Sequence, residues 1–344
     1  MVLMKKLAQL WVAAALVILS IVPATAASRY ILKFATLAPQ GTAWMNVIDA
    51  WAAQVAKDSD GKLTFKLYPG GVFGDEPDML REIRFGELQG GAFTGHGVGE
   101  IYSPARVLEI PFLFHHYAEW NFVRTRLMPQ IRTGFSDHGY VLLGFMDTGF
   151  IRLFSHVPIR SLAQLRTRRV WLWQGDPLAQ AFFTAARVPP VPLAFPDVYM
   201  SLSTGLIDTV AVPPLAAISL QWFTKTPYMT NMRISNGVGA LVVSRRFFNT
   251  LPPDLQALLV RTGKAAGKTL RAATRVQSHE SLAALKSQGV TFLPAWTDES
   301  PAGLVAIRNR AAAILIKTGY IPESTYAEAQ QALSEFRDRK EASR

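Results

Sequence analysis

The chain contains no cysteine in its 344 residues. That excludes disulfide scaffolds, thiolate zinc sites, iron–sulfur clusters, cysteine nucleophiles and a lipid-anchoring cysteine behind a leader. Acidic residues are few: 25 Asp and Glu stand against 36 Lys and Arg, a formal charge of +11. Such a balance suits nucleic acid, an anionic surface or an acidic ligand, and does not by itself choose among them. Charged residues reach only 18% and hydrophobic ones 49%. A mainly disordered chain is therefore excluded, and the length allows two domains with proper cores. Past Val22 no apolar run attains the about 18 residues of a membrane span.

What is present begins with a leader. Lys5 and Lys6 precede an apolar run from Leu7 to Val22, followed by Pro23-Ala24-Thr25-Ala26-Ala27. A basic start, an apolar core and an Ala-x-Ala end form a secretory signal peptide over residues 1–26, with cleavage after Ala26 or, alternatively, Ala27. An uncleaved anchor is the competing reading, disfavoured because the run is shorter than the about 20 residues of a spanning helix. Export places the mature protein in the periplasm and argues against nucleic acid as a partner. Loss of Lys5 and Lys6 lowers the charge from +11 to +9.

The mature chain then alternates strand and helix signals. Tyr30–Ala35 reads as a strand, and Trp44, Val47, Ile48, Trp51 and Val55 recur at helical spacing. Leu63–Tyr68 alternates with period two until Pro69-Gly70-Gly71 ends it. A helix through Met79, Leu80 and Ile83 leads to Gly90–Thr94, and Val141–Phe145 reads as a buried strand. The cycle repeats in Arg169–Trp173, a helix over Pro177–Arg187, Pro190–Leu193, a helix through Val198 and Leu202, and Leu206–Val210. Two β-α-β-α sets predict two α/β domains with mostly parallel sheets. From Pro252 to about Lys340 the pattern is helical except near Val290–Pro294, as expected of bracing helices. No polar linker separates the halves, which implies more than one crossover and hence a hinge.

Chemistry-bearing motifs are missing. Of the six histidines, only His115-His116 with Glu119 cluster, and adjacent helical residues point about 100° apart, so the pair does not serve one metal. Neither a zinc-protease helix motif nor a nucleophile elbow occurs. Gly95-His96-Gly97-Val98-Gly99 lacks dinucleotide or phosphate-loop spacing and reads as a tight turn where backbone approaches a cleft. No cofactor, metal or enzymatic activity is expected.

A family resemblance begins at Tyr68-Pro69-Gly70-Gly71-Val72-Phe73-Gly74-Asp75. Pro111-Phe112-Leu113-Phe114, Gly149–Ser155, Pro190-Val191-Pro192-Leu193, and Asp197-Val198-Tyr199 with Leu202–Asp208 follow in order. Together they resemble the extracytoplasmic solute-binding proteins of TRAP transporters, of the DctP type, from about Arg29 to Glu335. The resemblance implies a two-lobed periplasmic-binding-protein-like α/β fold with hinge strands and a long bracing helix. On it, residues 27–149 plus 238–277 form lobe I, and 150–237 plus 278–344, with the C-terminal helices, form lobe II. It also implies a small-molecule ligand held between the lobes and delivered to the small and large membrane subunits of an ion-gradient-driven permease.

The chain departs from that family where ligand is held. Aligning Leu165–Val170 onto the family's L-K-G-x-K segment puts Trp171 where the carboxylate-binding Arg stands, and Val212 where an Asn is common. Arg152 matches the accessory Arg. A carboxylate facing an indole rather than a guanidinium costs several kcal/mol, so the expected ligand is hydrophobic or aromatic, with a carboxylate, if any, near Arg152. Arg169, two residues from Trp171 on the same strand face, is the alternative cation for an ordinary small-carboxylate receptor. A non-transporting periplasmic sensor is the other alternative. Trp173, Trp44, Phe93, Tyr102 and Trp222 complete the candidate ligand contacts, and Asp176 is expected to cap a helix rather than touch ligand.

Overall fold

Strand and helix periods alternate because each strand needs a helix to cover its apolar face. The computed structural model describes residues 29–296 and 300–342, so the leader lies outside the described residues. The first half runs β1 (Tyr30–Thr36), α1 (Ala43–Asp58), β2 (Leu63–Tyr68), α2 (Glu76–Phe85), β3 (Gly90–Thr94), α3 (Gly95–Tyr102), α4 (Tyr117–Asp137) and β4 (Tyr140–Phe150). The alternation resumes with β5 (Arg152–Ser155), α5 (Leu162–Leu165), β6 (Val170–Trp173), α6 (Pro177–Ala186), β7 (Pro190–Leu193), α7 (Val198–Thr204), β8 (Thr209–Val212), α8 (Pro214–Ser219) and β9 (Tyr228–Thr230). The chain returns through β10 (Asn236–Ser244) and α9 (Arg245–Phe248), then ends in α10 (Pro253–Ser287), β11 (Thr291–Leu293), α11 (Pro301–Lys317) and α12 (Glu323–Ala342).

Two mixed sheets result. Lobe I is built on the order β2-β1-β3-β10-β4 and lobe II on β11-β9-β5-β8-β6-β7. The β-α-β crossovers pair in parallel: β1 with β2 and β3, and β6 with β7 and β8. The pairs made by β10 and by β5 with its two neighbours are antiparallel. Those strands adjoin the two crossings between lobes. One crossing runs from β4 into β5 at Ile151, the other from β9 into β10 through residues 231–235. The crossings bond to each other: Ile151 N donates to Ser235 O at 2.8 Å and Ile234 N to Ile151 O at 3.0 Å. Two adjacent extended crossings form a hinge of the kind seen in domain closure.

One helix braces both lobes. Leu255, Leu258, Leu259 and Leu270 of α10 pack in the core that holds Leu32, Phe34 and Met146. Thirty residues after Leu255, Leu285 joins the lobe II core with Trp171 and Trp222. Close approach to β4 depends on glycine: a Cβ on Gly267 would fall 2.9 Å from the Cα of Gly144. The final helix packs away from the lobe to which the resemblance assigns it. α12 places Tyr326, Ala329, Ala332 and Leu333 in the core beneath α4, on the lobe I side, not with lobe II. Its apolar residues recur at three- and four-residue spacing and cover the stripe that α4 presents through Trp120, Val123 and Leu127. No helix among the described residues is long and apolar enough to cross a membrane.

Candidate functional site

A cavity of about 260 Å³ opens between the lobes, against the hinge residues Ile151, Ile234 and Ser235. Pockets of this scale, mostly apolar with few convergent polar groups, are where small molecules bind. Strand β6 supplies its aromatic wall. Side chains two apart share a strand face, so Trp171 and Trp173 lie side by side, centroids 5.6 Å apart. Phe195 stacks on Trp173 at 5.1 Å, and Trp222 supports Trp171 edge-on at 5.3 Å. Trp171 is anchored by its Nε1, which donates to Leu193 O at 3.0 Å. It both lines the cavity and belongs to the lobe II core.

The expected contacts divide into two groups. Trp44, Trp171, Trp173 and Val212 line the cavity. Trp44 comes from lobe I, its Nε1 donating to Thr274 Oγ1 at 3.1 Å. Phe93, Tyr102, Trp222, Arg152 and Arg169 are not on its wall. Phe93 is fully buried in the lobe I core, because β3 is covered on both faces. Tyr102 packs on Phe135 and His138. Trp222 stands behind Trp171. Arg152 donates from Nη1 to Asn231 Oδ1, and burial together with nearby Arg233 lowers its pKa. Arg169 precedes β6; its side chain is 58% exposed and pairs with Asp208 at 3.4 Å. Neither arginine lines the cavity: Arg152 is turned to Asn231 and Arg169 to Asp208.

A different cation faces the cavity. Arg106 lies in the short 3-10 segment Ser103–Glu109 of lobe I, only 5% of its side chain exposed. Its two terminal nitrogens fork onto Asp176 of lobe II: Nη1 to Oδ1 at 2.7 Å and Nη2 to Oδ2 at 3.1 Å. Its Nε donates to Glu109, and Nη1 also reaches Tyr320 Oη at 3.4 Å. Asp176 caps α6 as expected, accepting from Leu178 N and Ala179 N, and in addition bridges the lobes. Burial opposes the charge on Arg106, but Asp176 and Glu109 outweigh it and hold the guanidinium protonated. Burial likewise opposes ionisation of Asp176, and Arg106 more than offsets it, so its pKa is lowered. Glu109 shares the same single cation and is left raised by burial.

Asp75 makes the second bridge. It caps α2 through Glu76 N at 2.7 Å, while its Oδ2 accepts from Trp173 Nε1 and Phe195 N of lobe II, each at 2.9 Å. The next residue, Glu76, corrects the reading of the Gly95–Gly99 stretch. That segment opens α3 rather than forming a turn, and Glu76 accepts from Thr94 N and Gly97 N, both at 2.6 Å. An internal carboxylate thus fills the helix N-terminus. Glycine makes room for it: a Cβ on Gly97 would lie 2.9 Å from Glu76 Oε2 and 2.5 Å from Phe93 Cδ1. Burial pushes the Glu76 carboxyl up to about 7.

Two polar side chains on the cavity wall remain without partners. Both ring nitrogens of His96 and the hydroxyl of Thr94 are buried and make no hydrogen bond within the protein. The His96 ring lies over Trp173 with centroids 5.1 Å apart, and burial lowers its pKa, keeping it neutral. Buried polar groups are normally satisfied, so these atoms mark where a guest's polar groups belong. Arg106, Glu109 and Glu76 were not foreseen as contacts. A signal for the first two existed: an Arg and a Glu three apart inside the apolar stretch Ala105–Phe114 imply a buried pair.

The profile of the bacterial extracellular solute-binding proteins, family 7 (DctP), matches residues 34–309. The chain belongs to this family. It is 26% identical over 265 residues to a solute-binding protein of Sulfitobacter sp. (strain NAS-14.1), covering 76% of this chain and 80% of that one. It is 22% identical over 235 residues to the 2,3-diketo-L-gulonate-binding periplasmic protein YiaO of Escherichia coli (strain K12), covering 68% and 71%. A TRAP periplasmic solute-binding protein from Pseudomonas putida F1, solved with bound D-glucuronate, shares the fold with a TM-score of 0.78 at 23% identity, over 88% of this chain and 96% of that one. This DctP-family protein is a solute-binding protein, and its relatives are receptors rather than enzymes.

Proposed function

We propose that this family member is exported by its N-terminal leader to the periplasm. There it captures a solute with a flat, apolar body between its lobes and hands the closed complex to the small and large membrane subunits of a TRAP permease. The observation that carries the ligand reading is the wall of Trp171, Trp173 and Phe195, facing a cavity whose one lining cation, among the described residues, is already paired with two carboxylates. Stacking on such rings contributes about 0.5–1.5 kcal/mol beyond area burial. Closure brings Asp75 onto the Trp173 indole N–H and the Phe195 backbone N–H, so two residues of the aromatic wall also hold the lobes shut. Energy from those contacts is available only in the closed form, which is what ligand-driven closure requires.

Relatives of known ligand, such as the glucuronate-bound protein, hold an acid. This chain differs at the residue expected to grip one, where Trp171 stands. The rival reading, a small-carboxylate receptor using Arg152 and Arg169, has neither guanidinium on the cavity wall. Mass spectrometry of small molecules released from natively purified wild-type and Trp173→Ala proteins tests the proposal. A planar aromatic species carried by the wild type and lost from the variant is expected. A small aliphatic di-acid retained by both would refute it.

A further inference from the structure

The charge on the cavity wall can be followed atom by atom. Four of the five N–H donors of Arg106 are engaged, by Glu109, by both oxygens of Asp176 and by Tyr320. The two-pronged contact with Asp176 is the arrangement an arginine makes with a carboxylate ligand. Here the carboxylate belongs to the protein and arrives from the opposite lobe. An acid entering the cavity would meet no unneutralised cation and would have to displace a buried ion pair, whose disruption costs several kcal/mol. Glu76 and Glu109 add no positive potential. Burial raises the pKa of both, and the one lining cation among the described residues is already matched by Asp176 and Glu109.

The unmet hydrogen-bonding capacity is of a different kind. A neutral imidazole presents one N–H donor and one ring-nitrogen acceptor, and the Thr94 hydroxyl can do either. A guest that satisfies them needs an acceptor and a donor held close together in a plane that also stacks on Trp173. Resting on the receptor reading above, we infer that the cavity selects an uncharged planar solute bearing an amide-like donor–acceptor pair, anchored on His96 and Thr94, and that Asp176 excludes carboxylates by occupying Arg106 from within.

Three phenyl probes that differ in charge, neutral benzamide, anionic benzoate and cationic benzylamine, test this on the full mature protein by calorimetric titration. The wild type is expected to bind benzamide at least tenfold more tightly than the other two. His96→Phe keeps a ring over Trp173 but removes both nitrogens, and should weaken benzamide about tenfold, the worth of one buried hydrogen bond. Asp176→Asn retains the helix cap and removes the internal carboxylate, so benzoate affinity should rise at least tenfold while that of benzylamine does not. Should Asp176→Asn fail to fold, the wild-type ranking still decides. Benzoate or benzylamine binding the wild type more tightly than benzamide overturns the inference and leaves the aromatic-cleft receptor standing. Absence of binding by all three to the wild type and to both variants defeats the planar-solute reading itself.

Discussion

Asp75→Asn separates closure from folding. The carboxylate of Asp75 does two tasks with two oxygens: Oδ1 accepts from Glu76 N at 2.7 Å, and Oδ2 accepts from Trp173 Nε1 and Phe195 N, each at 2.9 Å. Asn caps a helix as well as Asp, so α2 should keep its start. The amide nitrogen then takes the place of Oδ2 and turns donors toward donors, and both bonds between the lobes are lost. When the lobes part, Trp173 Nε1 and Phe195 N regain water, so the net loss is about 1 kcal/mol per bond rather than the full gas-phase value. Two bonds give about 2 kcal/mol, which lowers the closed population and weakens apparent affinity roughly 30-fold. Small-angle scattering of the protein alone and with saturating benzamide reads the population directly, and calorimetry reads the affinity. The variant should be more expanded and need more benzamide to contract, with little change in melting temperature. Unaltered dimensions and affinity within twofold of wild type would show that Asp75 does not hold the lobes together.

Other consequences are open to measurement. Burial raises the Glu76 carboxyl from 4.5 to about 7, so the folded protein binds more protons than the unfolded chain in that window. The Glu76 contribution should be fullest below pH 4.5 and be lost, by about 3 kcal/mol, as pH rises through 7, a slope that Glu76→Gln flattens in denaturant titrations at several pH values. Asp176 acts oppositely and in a separate window: its pKa is lowered, so its contribution persists above pH 3.8 and is lost only on further acidification. Gly267→Ala would set a Cβ 2.9 Å from the Gly144 Cα and should cost about 1–3 kcal/mol by forcing α10 off β4, seen as a lower denaturation midpoint. Arg152→Met should leave benzamide affinity within twofold, because its guanidinium bonds Asn231 rather than facing the cavity. Arg169→Ala removes a mostly exposed guanidinium from Asp208, which is buried but still accepts from residue 169 N and Thr209 Oγ1, so stability should fall by no more than about 1 kcal/mol.

Much of the fold was legible because period and punctuation are local. The alternation in Leu63–Tyr68 and the helical spacing of Trp44, Val47, Ile48, Trp51 and Val55 fall on β2 and α1 as expected. His116 sits at the N-cap of α4, so the histidine pair that does not suit a metal has a place in helix capping. The Gly95–Gly99 stretch misled because glycine-rich sequence usually signals a turn. There the glycines serve close packing, admitting Glu76 and Glu109 beside the first turn of α3. The placement of α12 was hidden for another reason. Its stripe of Tyr326, Ala329, Ala332 and Leu333 says that one face is buried, but not against which lobe.

The sequence by itself determined that two α/β units would form, which follows from residue type and spacing along single strands and helices. That Trp171 stands where an acid-gripping guanidinium is usual is what the family resemblance implies. Only the tertiary structure decided what faces that indole. Arg106 and Asp176 are seventy positions apart in the chain and meet because α6 of one lobe begins opposite the Ser103–Glu109 segment of the other. Charge neutralisation across a cleft depends on distance in space, and no local pattern encodes it. The same holds for His96 and Thr94, whose lack of partners becomes visible only once every neighbouring donor and acceptor has been placed.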